Sequence, residues 1–202
     1  MVDSLKIIAM VTMLIDHIGY VFFPEMLIFR IIGRLSFPLF AWGVAAGYQR
    51  TRSLEKYMVR LFLVGIASQL PYMHLFQVTN LNILFTLLWG VVAIFIWQRV
   101  SPLLALLLSI PAEGLVSYGF YGIIVILLFH VFQEDSEGQF VALLIATLIY
   151  SSFKLASIQL FAIFTIPLIK RISHKPVSFP RYFAYFFYPV HLILLGIIRT
   201  VI

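Results

Sequence analysis

An adjacent Asp16 and His17 inside the apolar run LKIIAMVTMLIDHIGYVFF form the sharpest chemical feature of the chain. An ionisable group at mid-membrane costs at least ~2.5 kcal/mol, so it normally faces a cavity or a partner. An imidazole titrates near neutrality and can take a proton from a nucleophile. Lys6 stands eleven residues before His17. Eleven helical steps return to within about 20° of the starting direction, so the two share a face and lie about 16 Å apart. Lys6 then marks the mouth of a path, and His17 sits near the middle of the bilayer.

Asp16 points about 100° away from His17 on a helix and does not orient it directly. Its expected partner is the next apolar run, IFRIIGRLSFPLFAWG, where Arg30 and Arg34 lie four apart on one face. An ion pair with either arginine lets both charges survive burial. Such a pair serves equally as a staple between two helices or as part of a reactive centre. Near the carboxyl terminus, Tyr188 and His191 share a face beside Pro189, which frees a backbone carbonyl. His191 is the second candidate acid or base.

Other polar groups in apolar surroundings can converge on the same cavity: Gln69, Asn82 with Thr86 one turn later, Tyr118 and Gln159. Each also reads as a hydrogen bond between helices. His130 and His174 fall at expected helix ends, in water, and His74 can rim an outer vestibule. An imidazole with arginines and amides nearby suits a general base acting on an acceptor that attacks an activated acyl group, with Arg and Asn donating to the oxyanion. GxSxG, Walker A, HExxH and GxGxxG motifs are absent. The chain has no cysteine, which removes thiolate chemistry and disulfides, and no metal site is expected.

The elements that must position these groups are membrane helices. Of 202 residues, 62% are hydrophobic and 11% charged, with a mean hydropathy of +1.05, more apolar surface than a soluble core can hide. The expected fold is all-α, a polytopic transmembrane bundle in a single domain, 1–202. About nine segments are read: Leu5 to Phe23, Leu27 to Tyr48, Leu54 to Leu75, Leu81 to Gln98, Pro102 to Ser117, Phe120 to Phe132, Phe140 to Phe153, Leu155 to Lys170 and Tyr182 to Val201. Val78, Thr79 and Asn80 mark one of the connections. The thirty Phe and Tyr residues read as packing and interface anchors.

The net charge of +6 sits mostly in two short segments, Arg50 to Arg60 and Lys170 to Arg181, which is a topological signal and not a nucleic-acid surface. The positive-inside rule places both in the cytoplasm of a bacterial-type inner membrane, with the carboxyl terminus outside. Arg50, Arg52, Lys56, Arg60, Lys170 and Arg171 can there hold the phosphates of a coenzyme A donor, although orientation alone explains them equally well.

Several stretches, in order, resemble the TraX family, which includes the membrane acetylase of conjugative pilin: LKIIAMVTMLIDHIG, FRIIGRLSFPLFAW, LNILFTLLWG, SYGFYG and FYPVHLILL. The resemblance spans essentially the whole chain. It implies importance for Asp16, His17, Arg30, Arg34, Pro38, Asn82, Thr86, Tyr118, Gly119, Tyr188, Pro189 and His191. The first helix is also distantly similar to type-3 membrane acyltransferases, which carry Arg, ten residues and then His; Lys6 stands where those have Arg. That similarity implies acyl-CoA entering from the cytoplasm and an acceptor arriving from the other face.

The resulting expectation is an acetyl-CoA-dependent acetyltransferase whose acceptor is a peptide amine, a glycan or a small molecule. His17 serves as base, Arg30 or Arg34 with Asn82 stabilises the oxyanion, and Lys6, Gln69, Tyr118, Gln159 and Tyr188 contact substrate. A transporter built on the same buried charges is the main alternative, weighed against by the lack of an inverted repeat. A noncatalytic assembly factor is the third.

Overall fold

The computed structural model describes residues 3–172 and 183–201. Its helices are α1 (Asp3–Phe22), α2 (Leu27–Gly33), α3 (Ser36–Arg50), α4 (Leu54–Phe76), α5 (Ile83–Arg99), α6 (Pro102–Ser109), α7 (Gly119–Val131), α8 (Ser136–Lys154), α9 (Thr165–Ile172) and α10 (Phe183–Val201). Short 3₁₀ turns occupy Ile110–Ala112 and Ser157–Phe164. Polar residues punctuate the chain where helices begin. Ser53, Asn82, Ser101 and Asp135 each accept a backbone N–H of the first turn that follows, satisfying donors a helix start would otherwise orphan.

Among the described residues, five spans are long and apolar enough to cross a membrane: Ser4–Phe22, Leu27–Arg50, Leu54–Phe76, Ser136–Lys154 and Phe183–Val201. Three shorter apolar helical stretches accompany them. The burial pattern inverts that of a soluble protein. Leu70, Phe153, Leu155 and Phe186 face outward, whereas Ser68, Asn82, Thr86, Ser109, Thr147, Gln159 and Thr165 are fully or almost fully buried. A lipid-facing exterior with hydrogen bonds kept inside produces this arrangement.

Two expected segments are interrupted, and another, Pro102 to Ser117, is helical only as far as Ala112. The second breaks at Arg34 and Leu35, because Pro38 has no N–H to offer the Arg34 carbonyl. The eighth does not run as one helix from Leu155: that residue is left-handed (φ 51°), and the chain passes through the 3₁₀ turn before α9. Lys175 and Arg181, within the second basic segment, and His174 lie outside the described residues.

The short central helices have a structural cause. After α4 ends at Phe76, the chain folds back inward until the Asn82 amide donates to the Gly65 carbonyl (2.8 Å) and to Gln69 Oε1 (2.9 Å). Gly65 is eleven residues below the end of α4, about 16 Å along its axis. The 113–118 connection meets this descending segment: Leu81 donates to the Leu115 carbonyl (2.8 Å) and accepts from Ser117 N–H (2.9 Å). Irregular backbone at such depth is tolerated where it is buried in protein or lines a cavity.

The core sits where α7 passes between α3, α5 and α8, around Phe129, Ile123, Ile126, Ile94 and Leu39. A Cβ added to Gly122 would strike Thr86 and Tyr118, so a side chain there would force α5 and α7 apart. On the other flank, α1 packs on α2, α3 and α10, and α4 packs on α5 and α10.

Candidate functional site

Two of the cavities among the described residues share walls from α1, α3, α4, α5 and α10. The first, of about 350 Å³, is lined by Asp16, His17, Tyr20, Arg30, Arg34, Tyr72, Asn80, Ser117, Tyr118, Tyr150 and Tyr188, among others. The second, of about 780 Å³, is lined by Lys6, Arg50, Arg52, Lys56 and Arg60, together with Gly43, Tyr57 and Tyr185. Phe40 borders both.

In the first cavity Asp16 is shared between two arginines. Its Oδ2 accepts from Arg30 Nη1 at 2.7 Å and its Oδ1 from Arg34 Nη2 at 2.9 Å. The expectation of one arginine or the other is therefore replaced by both together. One carboxylate between two guanidinium groups leaves one positive charge in excess beside the cavity. Gly33 makes the contact possible, since a Cβ on it would overlap the Asp16 side chain.

Arg34 is fully committed: Nε donates to the Arg30 carbonyl (3.1 Å) and Nη1 to Gln159 Oε1 (3.1 Å), besides the carboxylate. Arg30 is the more open of the two and lies 5.2 Å from the Tyr20 ring centroid.

His17 and His191 meet directly. His17 Nδ1 lies 2.8 Å from His191 Nε2, and His191 Nδ1 lies 2.8 Å from the Phe187 carbonyl. A carbonyl only accepts, so His191 Nδ1 carries a proton. With His191 neutral, its Nε2 accepts from His17 Nδ1–H, which leaves the lone pair of the His17 ring on Nε2. His17 lines the cavity while His191, 4% exposed, stands behind it. His17 stands in the last two turns of α1. It lies five residues from the end of α1, and its ring packs edge-on against Phe76, the last residue of α4 (4.8 Å).

Tyr118 caps α7 in the left-handed region (φ 62°), followed by Gly119 at φ 50°. A bulky residue holds that conformation only when its surroundings enforce it. Here its ring stacks on Phe37 at 4.1 Å, and Glu113 Oε2 accepts from the backbone N–H of Phe120 (3.1 Å). Glu113 in turn pairs with Lys154 Nζ at 2.7 Å.

The structure thus brings together Asp16, His17, Arg30, Arg34, Tyr118 and Tyr188. Asn82 is not in the cavity wall. It is the α5 cap, wholly buried, its Oδ1 taken by Leu84 N–H and its amide donating to Gly65 and Gln69. Gln69 is occupied with Asn80 and Asn82, and Gln159 holds Arg34 from behind. Lys6 lines the second cavity with Arg50, Arg52, Lys56 and Arg60, whereas Lys170 and Arg171 are exposed on α9 and line neither cavity. His130, expected in water, is buried and bonds Gln98 at 3.0 Å.

Sequence reasoning missed Tyr72, Asn80, Ser117 and Tyr150 in the first cavity. Asn80 stood out only as a connection marker, and its Oδ1 accepts from Tyr72, whose hydroxyl also lies 2.9 Å from Ser117 Oγ.

Among the described residues no group of three or more His, Cys, Asp or Glu could hold a metal ion. Among the described residues the second cavity offers five cationic side chains and no carboxylate, with the α4 amino terminus, capped by Ser53, on its wall. Both features favour an anion.

Comparison with known proteins places the chain. It is 27% identical to a probable fimbrial assembly protein FimC, serogroup H1, of Dichelobacter nodosus, over 95% of this chain and 93% of that one. It is 28% identical to Protein TraX of Escherichia coli, over 97% of this chain and 86% of the other. An uncharacterised Rickettsia prowazekii protein is 36% identical over 48% of this chain. No solved structure matches. The family model described as TraX protein matches residues 1–199, and the chain belongs to the TraX family.

Proposed function

We propose that the protein is a multi-pass acyltransferase of the bacterial inner membrane that takes an acetyl group from acetyl-CoA on the cytoplasmic side and gives it to an acceptor at the outer face. The observation that carries this reading is the stacking of two cavities on the same five helices, one basic and one walled by His17, meeting at Phe40. With α2 and α3 forming one crossing, α6 with its 3₁₀ turn another, and the Ser157–Phe164 turn with α9 a third, the chain crosses nine times. The basic segments then fall in the cytoplasm.

Lys6, Arg50, Arg52, Lys56 and Arg60 hold the phosphates of the donor, and its thioester reaches upward past Phe40. His17 Nε2 takes a proton from the acceptor amine or hydroxyl as that atom bonds to the thioester carbonyl carbon. Arg30, carrying the excess positive charge of the Asp16 group, stabilises the oxyanion. The carbon–sulfur bond then breaks, and the proton held by His17 passes to the departing thiolate. Asn80, on the cavity wall, takes the place expected for Asn82.

The name of the FimC relative points to a fibre subunit as acceptor, alongside glycans and small molecules. Incubating the purified protein with labelled acetyl-CoA and envelope fractions tests the reading: a labelled acceptor that requires His17 is expected. The same stacking of cavities also suits a transporter, and flux in proteoliposomes without acyl transfer would favour that reading.

A further inference from the structure

Phe40 is the residue that both cavities share, and its neighbours on α3 divide by cavity. Phe37, one turn before it, borders only the histidine cavity, is buried, and is fixed by its stack on Tyr118. Gly43, one turn after it, borders only the basic cavity and places no side chain there. Phe40 itself is half-buried, and among the described residues its ring stacks on no other aromatic ring. Phe40 is thus the residue at which the two cavities adjoin, with a fixed ring one turn before it.

We infer that the Phe40 ring is the partition between the cavities and, resting on the acyltransfer reading above, that its bulk limits the transferred group to about two carbons. The basic cavity is large enough for a bulky anion, so it is not where a short acyl group is selected. Selection falls at the ring, which an acetyl group must pass to come within reach of His17. Each further methylene must be accommodated against the phenyl ring, and a tight apolar fit discriminates by roughly ten- to two-hundredfold per methylene.

The absence of cysteine makes the partition directly measurable. Ser117, on the wall of the histidine cavity alone, is replaced by cysteine and exposed to a small charged thiosulfonate from either side, in spheroplasts and in inside-out vesicles. With Phe40 present, labelling is expected from the outer side and to be at least about tenfold slower from the basic side. With Phe40→Ala it is expected at comparable rates from both sides, whereas Phe37→Leu leaves the barrier in place. Should Phe40→Ala not elute as a folded species in detergent, Phe40→Leu is read by the same criteria. Equal labelling from both sides with Phe40 intact, or unchanged sidedness in the folded Phe40 variant, overturns the partition.

The acyl-length limit is read separately, as the ratio of butyryl to acetyl transfer. It is expected to rise at least about tenfold in Phe40→Ala. An unchanged ratio removes the limit and leaves the reaction standing. Absence of transfer from any donor removes the limit together with the acyltransfer reading, and the labelling result still decides the partition.

Discussion

His17 Nδ1 stands 2.8 Å from His191 Nε2, and the two rings lie within 16° of parallel. One proton bridges the two facing nitrogens, and the Phe187 carbonyl, by holding the proton of His191 on Nδ1, leaves the bridging one on His17 Nδ1. The base proposed for the reaction is thus set by a residue 174 positions away that does not itself border the cavity.

The two histidines should fail differently. His17→Gln is expected to bind acetyl-CoA normally and to lose about 10²- to 10⁴-fold in turnover. His191→Gln retains an oxygen that can accept from His17 Nδ1–H and should lose much less than His191→Phe, which cannot accept. Parallel measurements of donor affinity and turnover across pH check this. A wild-type rate in His17→Gln would move the centre elsewhere.

Asp16 is expected to act first as a charge partner. Asp16→Asn leaves two guanidinium groups without their carboxylate, a loss of ~3–5 kcal/mol where the group is dry. Adding Arg30→Gln restores the original net charge and should recover part of it. Gly33→Ala, whose new methyl overlaps Asp16, should cost about 1–3 kcal/mol by overpacking. Melting in detergent reads all three, and a fully stable but inactive Asp16→Asn would make the carboxylate part of the reaction.

Neutralising Arg50, Arg52 and Lys56 should weaken donor binding while leaving the chemical step alone, so KM rises with kcat nearly unchanged. Lys170→Gln and Arg171→Gln, outside both cavities, should have little effect. Titration at two salt concentrations separates the groups, because only the cavity residues should produce salt-sensitive affinity.

Acid should loosen the Tyr118 connection. The Lys154 ammonium hydrogen-bonded to Glu113, with a smaller contribution from Phe120 N–H, holds the Glu113 carboxyl below its usual range against the opposing effect of burial. A folded pKa below the unfolded one means the contribution is complete above the unfolded value, about 4.3, and is lost as pH falls through the folded one. Hydrogen exchange at the Phe120 amide should therefore lose protection at acid pH and lose it already at neutral pH in Glu113→Ala, which keeps no oxygen to accept the bond.

By itself, the sequence determined what helical periodicity and composition can carry. Lys6 and His17 share a face of α1 because both lie on one regular helix, and Arg30 and Arg34 reach Asp16 because four residues return to one side. The excess of apolar residues forced the chain into lipid, and lipid turned its polar groups inward. Tertiary structure decided the rest. Asn82 and Asn80 are two residues apart and chemically identical, yet the inward fold of the connection makes one a helix cap and exposes the other to the cavity. The His17–His191 pair, the sharing of Asp16 by both arginines and the place of Phe40 between two cavities each require helices distant in sequence to be docked at a particular height and rotation. That docking comes from packing such as Gly33 on Asp16 and Gly122 on Thr86, a property of paired surfaces that no single segment contains.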